Sequence, residues 1–293
     1  MANRRVLVKR RKAARNIRKI TRTMQLISTA RFQSAFSAAV AGRPYTDKLA
    51  ELVGNLAQAA KGLDHPLLQV PEEERSSALV VLTSSRGLCG GYNTNVLRST
   101  IEHVDERAAA GVGTELQIVG KKGIGYLRYL GRKMAEEITT IGDQPKFEDV
   151  EPIANSLMER FTAGELDSVW ISYMKFISTG KQRPVVECLL PLSPEEALRP
   201  AEEKDGAEVQ YEFSPAPQEL LQELLPATVR VRFYQAFMDA TVSEHVARMV
   251  AMKAATDAAE DMIRRLTAQY NRARQTQITM ELLDIVGGAN ALA

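Results

Sequence analysis

Apolar positions near the start of the chain recur three and four apart. Ala13, Ile17, Ile20, Met24 and Ile27 form one stripe, with Arg15, Arg18, Lys19 and Arg22 around it. This spacing gathers them on one side of an α-helix and matches the heptad of a coiled coil. Small and apolar residues continue through Ala30, Phe32, Ala35, Phe36, Ala38 and Ala39, until Gly42 and Pro44 predict an end to the pattern. The C-terminal segment repeats the arrangement with Met252, Ala255, Ala259, Met262, Leu266, Tyr270 and Ala273, flanked by Arg264, Arg265, Arg272 and Arg274. Periodicity alone fits either stripe to the core of a helical bundle as well as to a coiled coil.

From Ser77 the texture changes to short apolar runs alternating with helical stretches. Positions 78–83 (ALVVLT) read as a buried strand, followed by a glycine-rich turn and a helical stretch over 93–110. A second strand is expected at 115–119, a short helix near 122–130, a third strand at 138–141 and a helix over 150–161. Positions 168–176 and 183–190 read as a strand pair around Ser178, Thr179 and Gly180. Strands alternating with helices imply an α/β domain with a partly parallel sheet, and the final hairpin adds an antiparallel edge.

Composition decides between bundle and coiled coil. The 293 residues are 45% hydrophobic and 25% charged, which is globular rather than disordered or collagenous. All 12 prolines lie between Pro44 and Pro226, and 16 of the 18 glycines lie between Gly42 and Gly206, so positions 1–41 and 227–286 contain neither. At about 1.5 Å per residue, helices of these lengths would run roughly 60 and 90 Å, too long for the inside of one domain. The middle supplies no helices of matching length to complete a bundle. The expected fold is therefore α/β: an antiparallel two-helix coiled coil from the terminal segments plus a central Rossmann-like domain. The expected boundaries are 1–60 and 227–293 for the helices, 75–192 for the α/β domain, and 193–226 for an acidic, proline-containing connection.

The formal net charge of +2 hides a division: positions 1–46 carry 12 Lys or Arg and no acid, leaving 26 basic against 36 acidic residues after them. An anionic partner is expected for the first segment. A basic coiled coil that binds nucleic acid is one such reading, although no aromatic residue precedes Phe32 to stack on a base. Cys89 and Cys188 are 99 positions apart and the three histidines, His65, His103 and His245, are scattered, so no zinc-ligand spacing exists. No apolar run is long enough to span a membrane as a helix. Acid-poor, arginine-rich positions 1–20 also suit a transit peptide by composition. Gly87-Leu88-Cys89-Gly90-Gly91 and Gly120, Gly123, Gly125 each follow a strand, the place where backbone amides hold phosphate, but neither has a nucleotide fingerprint. Tight turns are the simpler reading; a nucleotide-binding α/β enzyme is the alternative. No nucleophile elbow or paired metal-histidine motif is present.

Four blocks together carry a family resemblance. ITRTMQLISTARFQSA (20–35), TSSRGLCGGYNTN (83–95), EHVARMVAMKAATDAAEDMI (244–263) and YNRARQTQITMELLDIVGGANAL (270–292) resemble the gamma subunit of F-type ATP synthases. The resemblance implies a proton-driven central-stalk rotor that catalyses nothing itself and needs no cofactor or metal. Its coiled coil would stand inside a hexamer of alternating alpha and beta subunits, with the α/β domain against the epsilon subunit and the c-subunit ring, and nucleic acid would be no partner. The glycine-rich turn would be structural. Arg274 and Gln275 match a pair that bonds a catch loop of one beta subunit, and Met24 matches a methionine facing an acidic lever loop of beta. Tyr211 and Glu212 match a pair near the c ring. The implied location is peripheral, on the cytoplasmic side of a bacterial inner membrane, since a helix beginning near the first residue leaves little room for a transit peptide. The segment before Ile20 is more basic than the family pattern, and the chloroplast-type cysteine pair is absent between positions 193 and 226. Gly287 and Gly288, a helix stop by themselves, would mark the last turns of the shaft.

Overall fold

A computed structural model describes residues 4–59, 65–71, 73–192 and 217–292. Tyr211, Glu212 and most of the acidic connection lie outside them. The chain forms two compact units, one made of 1–30 with 248–293 and the other of 31–247.

The larger unit is built on a five-stranded sheet in the order β3-β2-β1-β4-β5. Its strands are β1 (Ser76–Leu82), β2 (Gly113–Val119), β3 (Glu136–Ile138), β4 (Ser168–Ser178) and β5 (Lys181–Leu190). β1 pairs in parallel with β2 and β4, β2 in parallel with β3, and β5 returns antiparallel on β4, giving the expected mixed edge. Successive side chains of β1 enter opposite cores, as a parallel sheet covered on both faces requires. Leu79 and Val81 pack with α2 (Tyr92–Ala109) and α3 (Lys121–Tyr129) through Val96, Leu97, Ile124 and Leu127. Ala78, Val80 and Leu82 face α4 (Phe147–Thr162) through Val150, Ala154 and Leu157. The same core takes Val53 and Leu56 of α1 (Arg4–Ala59) and Leu221, Leu225, Val229, Phe233 and Phe237 of α5 (Pro217–Leu292).

Proline and glycine mark these helix boundaries poorly. Pro44 lies inside α1, which continues to Ala59, and Pro226 lies inside α5, which begins at Pro217 rather than near 227. The expected connection over 193–226 is shorter by its last ten positions. Both long helices are held past their prolines by the buried apolar side chains just named, and tertiary packing of this kind overrides local propensity.

In the smaller unit the two long helices run antiparallel: Leu7 packs with Leu266 and Tyr270, Arg18 pairs with Glu260 at 3.6 Å, and Thr21 meets Thr256. The seam differs from the expected stripe. Leu7, Ala14, Thr21 and Ser28, each seven residues apart, are buried, whereas Ile17, Ile20 and Ile27 are 51%, 60% and 49% exposed. Small side chains such as Ala14, Thr21 and Ser28 let two helices pack toward the near end of the usual range of about 8–10 Å between axes, closer than isoleucine allows. The buried hydroxyls are satisfied: Thr21 donates to the Arg18 carbonyl (3.2 Å) and accepts from Thr256 (2.8 Å), and Ser28 donates to the Met24 carbonyl (2.8 Å). On α5 the seam uses Met252, Thr256, Ala259 and Leu266, with Tyr270 and Ala273 half-buried. Met262, expected in the seam, faces out at 53% exposure.

Candidate partner-binding surface

Both glycine loops are closed on themselves. After β1, Asn93 Oδ1 accepts the Ser84 amide (2.9 Å), Asn93 Nδ2 donates to Ser84 Oγ (2.8 Å), and the Tyr92 amide bonds the Cys89 carbonyl (3.2 Å). Leu88 and Gly90 take positive φ angles of 64° and 57° to complete the turn. At the second loop, Gly120 has φ 97°, and a Cβ there would stand 2.1 Å from the Thr83 carbonyl oxygen. Its amide is spent on the Ile138 carbonyl (3.0 Å), that of Lys122 on Ser84 (3.0 Å) and that of Gly123 on Thr83 Oγ1 (3.0 Å). These glycines bring strand and helix together, and at the second loop the amides of Gly120, Lys122 and Gly123 are already spent within the chain.

A cavity of about 380 Å³ lies at the carboxyl ends of β1 and β2, to one side of the β1/β4 switch point where sheets of this topology take ligands, and is lined by Thr83, Lys121 and Glu244. Phe237, Ala240 and Thr241 of α5 form one wall. No cluster of three metal-ligating side chains occurs among the described residues. Cys89 and Cys188 are not joined in a disulfide, and the Cys188 thiol donates to the Leu190 carbonyl (3.2 Å). Tyr173 is held protonated far above its usual range by burial and by the Glu187 carboxylate, to which its hydroxyl donates (2.7 Å). That pair sits on the β4–β5 hairpin and serves the sheet.

What the helix pair offers is surface. Ile17, Ile20, Leu26 and Ile27 of α1 are all about half exposed or more. Beyond Ala273, Ile278, Met280, Leu282, Leu283, Ile285 and Val286 of α5 are open to solvent, and the helix continues through Gly287 to Leu292. Exposed apolar residues at this density mark a contact face rather than a solvated one. Arg274 and Gln275 lie on the same stretch with exposed side chains, and Met24 is half-buried beside the seam. Consecutive on α5, Arg274 and Gln275 project from the helix about 100° apart. Reading the isoleucine stripe as the seam hid the outward face, although the seven-residue repeat of Leu7, Ala14, Thr21 and Ser28 was the signal for it.

A two-helix coil with a small-residue seam and large apolar residues left outside is the build of a subunit that packs against other chains in a larger assembly. The family model described as ATP synthase matches residues 3–292. The chain belongs to the gamma-chain family of ATP synthases. The ATP synthase gamma chain of Rhodopirellula baltica is 42% identical over all of this chain and 99% of its own length, and that of Frankia casuarinae is 41% identical over 96% and 95%. The fold is shared with a chain from the Euglena gracilis mitochondrial ATP synthase (OSCP/F1/c-ring, rotational state 3), with a TM-score of 0.66 at 19% identity over 99% of this chain and 94% of that one. A chain of the Tetrahymena thermophila mitochondrial central stalk and c ring gives 0.57 at 21% identity over 80% and 99%.

Proposed function

We propose that this chain is the central-stalk rotor of a proton-driven ATP synthase, coupling rotation of the c ring to conformational change at the catalytic sites of the beta subunits. The outward isoleucine stripe of α1 and the open apolar end of α5 carry this reading, because they suit a coil that turns inside a sleeve of partner chains. An asymmetric helix pair presents a different side to each beta subunit. Only such differential contact can bias identical sites toward different states.

In this role the chain binds neither nucleotide nor metal and makes no bond itself. Arg274 and Gln275 supply a polar latch to a catch loop of beta, and Met24 faces an acidic loop of beta beside the basic residues of α1. Tyr211 and Glu212 belong to the contact with the c ring, and the α/β unit meets epsilon. No described helix is long and apolar enough to cross a membrane. The chain is placed at the cytoplasmic side of a bacterial inner membrane through its partners. Expression of a tagged chain in its native host tests the reading. Recovery with three alpha and three beta subunits per chain is the expected result, and a lone monomer that ignores alpha and beta would overturn it.

A further inference from the structure

The loop over 139–146, between β3 and α4, is tied to three other elements of the larger unit. Asp143 Oδ2 pairs with Arg31 of α1 and, at 3.2 Å, with Arg86 of the turn after β1. Two residues on, the Pro145 carbonyl accepts the Tyr234 hydroxyl of α5 (3.3 Å). Phe147, at the start of α4, stacks edge-on against the Tyr234 ring at 5.6 Å. The Asp143 side chain is only 27% exposed and that of Arg31 34%.

Elsewhere in this unit α1 makes apolar contacts: Ala35 and Ala39 against Met238 and Val242, and Phe32 and Phe36 against Phe176. Packed apolar contacts resist separation, but being individually non-directional they fix the orientation of α1 less sharply than a directed polar bond does. A charge-assisted bond from a planar guanidinium fixes direction as well as distance. Arg31 is the first α1 residue of this unit, immediately after the part of α1 that pairs with the end of α5.

We propose that Asp143 is the clasp that passes torque from the α/β unit into α1, acting through Arg31 and braced from behind by Arg86. The proposal rests on the rotor reading above. A single partly exposed ion pair contributes little to folding beside the apolar contacts that already hold α1. The loss of the clasp therefore shows when the shaft works against a load and not when it turns freely.

The test uses the assembled ATP synthase in everted membrane vesicles, measuring ATP-driven proton pumping per ATP hydrolysed, and then ATP hydrolysis by the detached hexamer-plus-stalk portion. Asp143→Asn and Arg31→Gln are expected to leave detached hydrolysis near the native rate and to lower pumping per ATP several-fold, while Asp143→Glu restores it. Arg86→Gln, which leaves the pair with Arg31, is expected to give an intermediate ratio. Native pumping per ATP in both Asp143→Asn and Arg31→Gln overturns the clasp. If Asp143→Asn does not assemble, Arg31→Gln alone decides in the same way. Failure of the rotor reading is distinct: the unaltered chain would then be missing from the complex, or cross-linking it to a beta subunit would leave hydrolysis unchanged.

Discussion

Replacing Ile17, Ile20 and Ile27 together by serine separates the inner seam from the outer face of the helix pair. All three keep about half of their surface in water, and isoleucine and serine have similar helix propensities. Exposed changes of this kind stay within about 0.5 kcal/mol each. At roughly 2–4 °C per kcal/mol for a chain of this size, the triple variant alone shifts its Tm by at most about 6 °C. Covering the open half of an isoleucine stabilises a complex by about 1 kcal/mol, so loss of all three costs roughly 3 kcal/mol. That corresponds to about a hundredfold in Kd. Thermal unfolding of the purified chain and titration of labelled chain into the alpha–beta hexamer read the two quantities separately. Leu266→Ala is the control, because Leu266 lies in the seam at 8% exposure and its truncation costs about 2–5 kcal/mol in the chain itself. A Tm loss above about 10 °C for the triple variant would show that the isoleucines hold the helices together. An unchanged Kd would show that nothing covers the stripe.

Gly120→Ala forces a Cβ against the Thr83 carbonyl at a positive φ and is expected to destabilise the chain by at least about 3 kcal/mol in denaturant titration. Gly125→Ala, which meets open space inside α3, stabilises by about 0.5–1 kcal/mol. Arg274→Ala is expected to lower the ATPase rate of the assembled complex more than its yield, and unchanged turnover in a fully assembled complex removes the latch role. Burial lowers the pKa of both His65 and His103, although Glu106 opposes it at His103. The unfolded chain therefore binds more protons near the ordinary histidine value of about 6.5, and stability falls as pH drops through it. His65 Nδ1 also accepts the Leu67 amide (3.1 Å), a bond that requires neutral imidazole. Tm measured from pH 7.5 to 5.5 should fall, and less so in His65→Asn with His103→Gln; identical slopes would refute the assignment.

The α/β core was legible because its strands are short, apolar and separated by glycine turns, and all five appear within a few residues of their expected places. The long helices were legible from their missing breakers, but not where they end: Pro44 and Pro226 sit within helices whose burial outweighs the local penalty. The isoleucine stripe misled for a physical reason. Hydrophobic periodicity reveals which face leaves water, not whether it does so against this chain or another, and here the small residues of the intramolecular seam gave the weaker signal. Arg274, Gln275 and Met24 came from family resemblance, since nothing in periodicity singles out an exposed arginine–glutamine pair. Asp143 had no sequence signal, because its arginine partners lie 112 and 57 positions away.

The pairing of Thr21 with Thr256 spans 235 positions of chain. During synthesis at roughly 5–20 residues per second, α1 leaves the ribosome about 10–50 s before its partner helix exists. Throughout that interval both its faces are uncovered: the seam waiting for α5 and the isoleucine stripe waiting for other subunits. Its dense positive charge repels neighbouring copies of α1 through that interval, until positions 252–273 arrive to close the seam.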